Sequence, residues 1–210
     1  MLKYEEKLHF DKHYSKLQSN GYLRIAIGFV WGIIGYIPAY YFFKYILVYI
    51  PDFKPWNNFE ELFTFGGVTF IKADLVYFAC GLILTCYGII RLSKITAYNH
   101  TAKSEKDSAP KKLLTDGYYA KVRHPMYGTF VILHAGFMLS LRSLLGMVIA
   151  LIVIIVQYGN AAIEEKKQLI PVFGEEYNLY INNVGRKLLT RYEILAFTLV
   201  VLLSAIGFAF

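Results

Sequence analysis

The fold is decided by Gly117-Tyr118-Tyr119-Ala120-Lys121-Val122-Arg123-His124-Pro125-Met126-Tyr127-Gly128, where a basic polar segment becomes an apolar one. Proline restricts the residue before it to an extended conformation and suits the first turn of a helix. We therefore expect a helix to begin at this proline and to run through the apolar residues 126–139. Arg123 and His124 would then lie immediately before the helix.

A second polar stretch follows further along the chain and reads Glu164-Glu165-Lys166-Lys167-Gln168-Leu169-Ile170-Pro171-Val172-Phe173-Gly174-Glu175-Glu176-Tyr177. The residues between the two stretches are apolar over 126–139 and 144–162, with a short polar turn at 140–143. This pattern predicts a helical hairpin that returns the chain to the side from which it started. The two polar stretches would meet at one interface, and we place the chemistry there.

The composition excludes an ordinary soluble domain. The chain has 210 residues, of which 56% are hydrophobic, 17% aromatic and 18% charged. A soluble domain of this length cannot cover so much apolar surface, so we predict an all-α integral membrane protein. The net charge of +7 suits basic cytoplasmic loops, and its distribution between apolar segments argues against nucleic-acid binding. Cys80 and Cys86 have no metal-binding spacing, and we expect no metal site.

Apolar segments predict about five transmembrane helices. The segments are 22–50, 68–90, 126–139, 144–162 and 193–210. A bilayer core of about 30 Å needs about 20 helical residues, so the third segment is short and crosses only with help from its flanks or in a thinned bilayer. The last segment is just long enough to cross, and the alternative is that it lies along the membrane surface.

The charges of the loops predict the orientation. The loop 91–123 is the most basic part of the chain, and the positive-inside rule places it in the cytoplasm. The segment 51–67 is mainly acidic and reads as a short loop on the opposite side. We therefore expect a cytoplasmic N-terminal segment, 1–21, and an outer C-terminus. No internal repeat or linker divides the sequence, so we predict a single domain over 1–210.

The residue types in the two polar stretches suit a ligand that carries both signs of charge. Arg123 and the free N–H groups of the following helical turn would bind a carboxylate or phosphate. The ring faces of Tyr118, Tyr119 and Tyr127 attract a cation, and Glu164 and Glu165 supply negative charge. S-adenosylmethionine carries a carboxylate, an ammonium and a sulfonium, so we expect it as the cofactor.

Three motifs in this region carry a family resemblance. They are Gly-x-Tyr-x-x-x-Arg-His-Pro-x-Tyr, Glu-Glu-x-x-x-Leu and Phe-Gly-x-x-Tyr-x-x-Tyr, and the region that contains them is 99–186. Their combination resembles the isoprenylcysteine carboxyl methyltransferase family and is similar to the related membrane phospholipid methyltransferases. The resemblance implies a membrane methyltransferase whose cofactor pocket opens to the cytoplasm and whose lipidic acceptor enters from the bilayer.

The resemblance also implies roles for individual residues. Those that would line the cofactor pocket are Tyr119, His124, Pro125, Met126 and Tyr127. Those that would contact the adenosine end are Lys111, Lys112, Leu113 and Leu114. Glu165 would close the site, and the segment that contains Phe173, Gly174 and Tyr177 would fold back over the cofactor.

The acceptor is left open by the sequence. Carboxyl-methylating members of the family carry an arginine four residues before the second glutamate, and here that position is Ala161. Gln157 and Asn160 share a helical face with Glu164 and offer neutral polar contacts to an acceptor, and His134 is a further acceptor-binding candidate within the membrane. Prenylcysteine carboxylates, phospholipid amines and thiols all remain candidates.

Two residues are expected to act in catalysis. Methyl transfer from a sulfonium is an in-line displacement, so the main tasks of the enzyme are alignment and exclusion of water. We expect Arg123 to hold an anionic group. We expect Glu164 to act as the base if the acceptor is an amine, because an amine must lose a proton at some stage.

Two other functions remain open. A sterol-reductase-like enzyme has a similar Arg-His-Pro-x-Tyr segment but binds the reduced nicotinamide cofactor NADPH. A non-catalytic membrane scaffold or lipid-binding protein would explain the apolar segments but not the convergence of two polar stretches. In each case the expected partners are membrane lipids and not nucleic acids.

Overall fold

The computed structural model describes residues 21–50, 54, 58–99 and 112–209, and it is mostly helical. The predicted cytoplasmic segment 1–21 lies outside these residues except for its last position. Lys111, which the resemblance assigns to the adenosine end, also lies outside them.

The described chain begins with a long helix that is followed by a β-hairpin. Helix α1 covers Gly21–Tyr49, and strands β1 (Glu61–Phe65) and β2 (Val68–Ile71) pair antiparallel. The turn between the strands is Gly66-Gly67, and both residues have positive φ, at 54° and 80°. Glycine adopts such values without strain because it has no Cβ.

The hairpin corrects two expectations from the sequence and is the exception to the all-α prediction. The segment 51–67 is not a plain loop, because β1 lies within it, and the second span does not begin at residue 68, because Val68–Ile71 is a strand. Aromatic and β-branched residues on both sides of two glycines favour a hairpin. Val68–Ile71 are also hydrophobic, so the sequence alone joins them to the apolar segment that follows.

Helices α2 (Lys72–Asn99) and α3 (Pro125–Ser140) pack with their backbones in close approach. A Cβ added at Gly136 would lie 2.7 Å from Oγ1 of Thr85 and 2.9 Å from the carbonyl oxygen of Gly81. Small residues at a helix contact permit this approach, and it is a common mode of helix association in bilayers. The two helices form the centre of the fold.

Replacing Gly136 with alanine is expected to weaken this contact. The added methyl group would meet backbone atoms of α2, and overpacking of this kind costs about 1–3 kcal/mol. We expect a lower midpoint of thermal unfolding for the detergent-solubilised protein. Gly159→Ala is the matched control, because a Cβ at that position meets no neighbouring atom. Equal midpoints for the two variants would argue against the close approach of α2 and α3.

Helix α4 completes the predicted hairpin with α3 and covers Leu144–Glu164. Ser143 caps its first turn, with Oγ accepting a hydrogen bond of 2.9 Å from the N–H of Gly146. The helix continues into a π-helical turn, Glu165–Leu169, and the elements that follow are α5 (Ile170–Phe173), α6 (Glu175–Asn183) and α7 (Arg191–Ala209). The helices predicted over 126–139, 144–162 and 193–210 are therefore present with small shifts of their ends.

Within the described residues, three helices are long and apolar enough to cross a bilayer, namely Ala26–Tyr49, Lys72–Asn99 and Leu144–Phe173. They support the prediction of an integral membrane protein. Helix α3 has 16 residues and α7 has 19. Both are shorter than the about 20 residues that a helix needs to cross a bilayer core. A total of five crossings, and the side on which each terminus lies, stay predictions.

A buried ionic cluster fastens the end of the bundle next to the β-hairpin. The carboxylate of Asp74 lies 2.6 Å from Nζ of Lys44 in α1 and 2.8 Å from Nε of Arg142 in the α3–α4 turn. The exposed fractions of these three side chains lie between 2% and 6%. Arg142 has a φ of 50°, which is unfavourable for a residue with a Cβ. The ion pair with Asp74 holds the turn in this conformation.

Glu193 ties the first turn of α7 to α2. Its carboxylate accepts hydrogen bonds of 2.7 Å from the N–H of Thr190, which is a helix-capping contact, and of 2.7 Å from the hydroxyl of Tyr87. Nη1 of Arg91, whose side chain has no exposed surface, lies 3.1 Å from the same carboxylate. The start of α7 is thereby placed beside α2.

Candidate functional site

The site begins with a short pairing between two segments that are distant in sequence. The N–H of Arg123 donates to the carbonyl of Arg186 at 2.9 Å, and the N–H of His124 donates to the carbonyl of Lys187 at 2.7 Å. Pro125 opens α3 as the sequence predicts, and His124 before it has a φ of −123° and a ψ of 66°, which is neither helical nor fully extended. This pairing fixes the backbone from which the Arg123 and His124 side chains project.

We call the paired segments 118–124 and 183–188 the wall. Its packing against α3 depends on Gly128, since a Cβ at that residue would overlap the carbonyl group of Leu188. A glycine is therefore required where α3 and the wall meet. One cavity lies on each side of the wall, and the smaller of the two contains most of the residues that the sequence selected.

Glu165 is the centre of the side-chain network. Its Oε1 accepts from Nε of Arg123 at 2.8 Å and from the hydroxyl of Tyr177 at 3.2 Å, and it lies 3.1 Å from Nε2 of His124. Its Oε2 lies 2.9 Å from Nζ of Lys187. Glu165 is 7% exposed, so these contacts are largely shielded from water and are stronger than surface ion pairs.

His124 lies between the two carboxylates of the Glu-Glu pair. Its Nδ1 is 3.2 Å from Oε2 of Glu164, and its Nε2 is 3.1 Å from Oε1 of Glu165. Each ring nitrogen therefore has a carboxylate oxygen within hydrogen-bond distance, and the two contacts fix the position of the ring. The ring of Tyr127 stacks on the imidazole at 5.7 Å between centroids, so the ring plane is fixed as well.

The π-helical turn explains how adjacent glutamates reach one histidine. In a regular α-helix neighbouring side chains diverge by about 100°. Here the N–H of Ile170 bonds to the carbonyl of Glu165, which widens the turn at the point where Glu164 and Glu165 project. Such turns are frequently found at functional sites. This feature has no clear signal in the sequence.

Buried tyrosine hydroxyls hold the network together as neutral donors. Burial and the nearby Glu165 carboxylate raise the pKa of Tyr177 well above its usual value. Burial also raises the pKa of Tyr180 well above its usual value, and it raises the pKa of Tyr119 to about 12. Tyr180 donates to the carbonyl of Tyr119 at 2.7 Å, and Tyr119 donates to Oδ1 of Asn99 at 2.8 Å. These hydroxyls therefore keep their protons at physiological pH.

A cleft of about 250 Å³ lies in front of this network. The sequence-predicted residues that line it are Lys112, Leu113, Leu114, Tyr119, Arg123, His124, Met126, Tyr127, Glu164, Phe173 and Tyr177. The lining residues without a predicted role are Asn99, Gln168, Leu169 and Tyr180. Leu169 and Tyr180 belong to the quoted motifs, and Asn99 begins the region of resemblance. The sequence therefore contained a basis for predicting that these three residues line the cleft. We call this cavity the cleft.

Other predicted residues lie outside the lining of the cleft. Pro125 is buried at the start of α3, and Glu165 sits behind Arg123 and His124. Asn160 is exposed, and Oε1 of Gln157 is buried without a hydrogen-bond partner among the described residues. His134 is exposed, and its Nδ1 lies 2.7 Å from the carbonyl oxygen of Phe130. A role for Gln157, Asn160 and His134 in acceptor binding stays a prediction.

Ala161 is packed where the family resemblance would place a cation. It has no exposed surface and contacts a cluster with Val131 and Leu188. Leu188 belongs to the wall, so the space around Ala161 is filled by the same segment that supports Arg123. An arginine at this position would have to displace that segment.

The cleft presents both signs of charge close to aromatic and apolar surface. Lys112 is exposed and Arg123 is fixed by the carbonyl of Val184 at 2.8 Å, while the side chain of Glu164 is 32% exposed. Leu113 and Leu114 add an apolar patch to the lining. This arrangement suits a ligand with an anionic group, a cationic group and a flat apolar part.

Comparison with protein families gives one match. The model of the family described as phospholipid methyltransferase matches residues 68–176, which is more than half of the chain. The matched range contains Arg123, His124, Glu164 and Glu165 but ends before Tyr177 and Lys187, which complete the network. Searches of curated proteins and of solved structures found no match.

Proposed function

Because the chain belongs to the phospholipid methyltransferase family, we propose that it transfers a methyl group from S-adenosylmethionine to an acceptor drawn from the bilayer. The observation that carries this proposal is the meeting of Arg123, His124 and Glu164 at one cleft, with Glu165 behind them. The family and the apolar helices of the described residues support a membrane methyltransferase. The cofactor and the acceptor class are our inference.

The residues of the cleft fit this cofactor in charge and polarity. Lys112 and Arg123 would hold its carboxylate, and Glu164 together with the ring of Tyr127 would face its cationic groups. Leu114 and its apolar neighbours would receive the adenine. When bound, S-adenosylmethionine supplies an electrophilic methyl group on a sulfonium.

Glu165 contributes by orientation. It holds the Arg123 guanidinium and the His124 imidazole from behind, so both reach the cleft in a fixed geometry. Groups that are already oriented lose little entropy when the ligand binds. Such positioning accounts for a large part of the rate enhancement of a displacement reaction. Tyr177 and Lys187 hold Glu165 itself.

Glu164 is the residue that we assign to proton transfer. Its side chain is partly exposed at the cleft, and Nδ1 of His124 is within 3.2 Å of its carboxylate. An amine acceptor must lose a proton on methylation, and a carboxylate within reach can accept it. A thiolate or carboxylate acceptor would make no use of this base.

An amine is the acceptor class that the surroundings of Ala161 favour. A carboxylate taken out of water needs a cation beside it, and the filled space between Ala161 and Leu188 leaves no room for one on this helix face. A lipid amine, such as the headgroup of phosphatidylethanolamine, needs a carboxylate partner, which Glu164 supplies. We therefore place phospholipid amines ahead of prenylcysteine carboxylates.

S-adenosylhomocysteine is expected to stabilise the purified protein against heat, whereas NADPH is not. A ligand that binds only the folded state stabilises it by about 2.7 kcal/mol at a hundred times its dissociation constant. The measurement is the unfolding midpoint in detergent with each compound. A shift with NADPH alone would support the reductase alternative, and no shift with either would support the scaffold alternative.

The acceptor is tested by transfer of radiolabelled methyl groups. Total membrane lipids, prenylated peptides and small thiols are offered separately, and we expect label in the phosphatidylethanolamine fraction. Glu164→Gln should abolish that transfer and should weaken, without removing, stabilisation by S-adenosylhomocysteine, because Glu164 also faces the ammonium of this ligand while Lys112 and Arg123 still hold its carboxylate. Label that appears only in prenylated peptides would overturn the preference for an amine.

A further inference from the structure

A second and larger cavity, which we call the groove, lies on the other side of the wall. Its volume is about 1000 Å³, and helices α2, α3 and the start of α7 bound it. Among the described residues, the groove and the cleft share no lining residue. The wall faces both: Tyr118 and Lys121 line the groove, whereas Tyr119 and Arg123 line the cleft. The groove is therefore separated from the groups that would carry out methyl transfer.

The part of the groove where the wall meets α7 is basic. Lys121 and Arg186 of the wall and Arg191, the first residue of α7, line it, and we call these three residues the basic rim. Within the described part of the chain, no hydrogen bond or ion pair involves their side chains. The acidic residue of the groove, Glu193, is already bound to Arg91 and Tyr87. The rim thus carries positive charge that the described residues do not neutralise.

The rest of the groove is apolar and follows the helices. Ile83 and Leu84 of α2, Ala135 of α3 and Phe197 of α7 line it. From its first residue to Phe197, α7 rises by about 9 Å, which matches the upper part of an acyl chain. None of the side chains described in α7 is buried, so this helix leaves the groove open beside the apolar helix α2.

We propose that the groove binds one anionic phospholipid of the bilayer, as a ligand distinct from the methyl acceptor. The phosphate would lie at the basic rim and the acyl chain against the apolar helices, because a cation cluster next to an apolar channel matches both parts of such a lipid. A soluble anion would leave the apolar surface uncovered. A methyl acceptor would need to reach Glu164, which lies across the wall.

The test uses the full chain in a neutral detergent with dioctanoyl phosphatidylglycerol as the probe. Binding is followed by native mass spectrometry and titration, and one retained molecule is expected, with weaker retention of dioctanoyl phosphatidylcholine. Changing the basic rim to glutamine (Lys121→Gln, Arg186→Gln, Arg191→Gln) should weaken phosphatidylglycerol binding about tenfold or more. Ala196→Trp, at an exposed groove-lining position of α7, should weaken binding of both lipids by filling the channel.

The control changes three exposed cations outside the groove, Lys94→Gln, Lys166→Gln and Lys167→Gln, and should leave binding unchanged. Stabilisation by S-adenosylhomocysteine, measured on every variant, reports folding and the cleft independently of the groove. Equal binding to wild type, rim variant and Ala196→Trp would overturn the proposal. Displacement by inorganic phosphate would reassign the rim to a soluble anion, and displacement by phosphatidylethanolamine would reassign the groove to the acceptor.

Discussion

Glu165→Gln is expected to abolish methyl transfer and to weaken S-adenosylhomocysteine binding by about tenfold to a hundredfold, because Arg123 and His124 lose the carboxylate that orients them and a hydrogen bond to a charged group contributes about 1.5–3 kcal/mol. The carboxylate is the shared partner of Arg123, His124 and Lys187. A neutral amide can neither balance the charges of Arg123 and Lys187 nor accept all of the hydrogen bonds that the carboxylate accepts. The binding constant is measured by titration, and the rate by transfer of labelled methyl groups.

Tyr177→Phe is the matched control for this experiment. It removes one hydrogen bond to the same oxygen of Glu165 and leaves the contacts with Arg123, His124 and Lys187 in place. A single hydrogen bond contributes about 1 kcal/mol, so a loss of less than tenfold is expected. If Glu165→Gln were as mild as Tyr177→Phe, Glu165 would not be the centre of the site, and the assignment of the cleft would fail.

Asp74→Asn is expected to lower the stability by about 3–5 kcal/mol, because it removes the carboxylate that Lys44 and Arg142 share in a buried site. The unfolding midpoint in detergent should fall sharply. The affinity of the molecules that remain folded for S-adenosylhomocysteine should not change. Helix α2 has Asp74 near one end and Asn99 of the cleft at the other, about 40 Å apart.

Glu60→Gln serves as the control for this prediction. Glu60 pairs with Lys72 close to the same end of α2, but both side chains are more than half exposed. Exposed ion pairs contribute little to stability, so no measurable change is expected. A loss of stability equal to that of Asp74→Asn would show that burial is not what distinguishes the two ion pairs.

The meeting of the two polar stretches was predictable because it depends on chain direction alone. An apolar hairpin must return to the interface from which it left, and this brings His124 to Glu165 across 41 positions of sequence. Which atom contacts which could not be predicted. It depends on the pairing of Arg123 and His124 with the carbonyls of Arg186 and Lys187, and backbone pairing between irregular segments has no residue pattern of its own.

The β-hairpin could not be separated from the adjacent span by hydrophobicity, because the residues of its second strand are both hydrophobic and good strand formers. Val68, Phe70 and Ile71 are hydrophobic, so they extend the adjacent apolar segment, and they are also good strand formers. Gly66-Gly67 was the signal that could have decided between the two, since paired glycines favour a tight turn. The ionic partners of Asp74 were equally hidden, because Lys44 and Arg142 belong to elements whose contact depends on helix packing.

The close approach of Gly81 and Gly136 has a consequence for how a ligand enters the cleft. Backbones in contact can neither slide nor separate without losing their packing, so α2 and α3 are expected to move as one body. Asn99, His124 and Tyr127 belong to that body or adjoin it and form the static side of the cleft. Admission and release are therefore expected at the opposite side, where Gln168, Leu169 and Phe173 line the cleft between the anchored residues Glu165 and Tyr177.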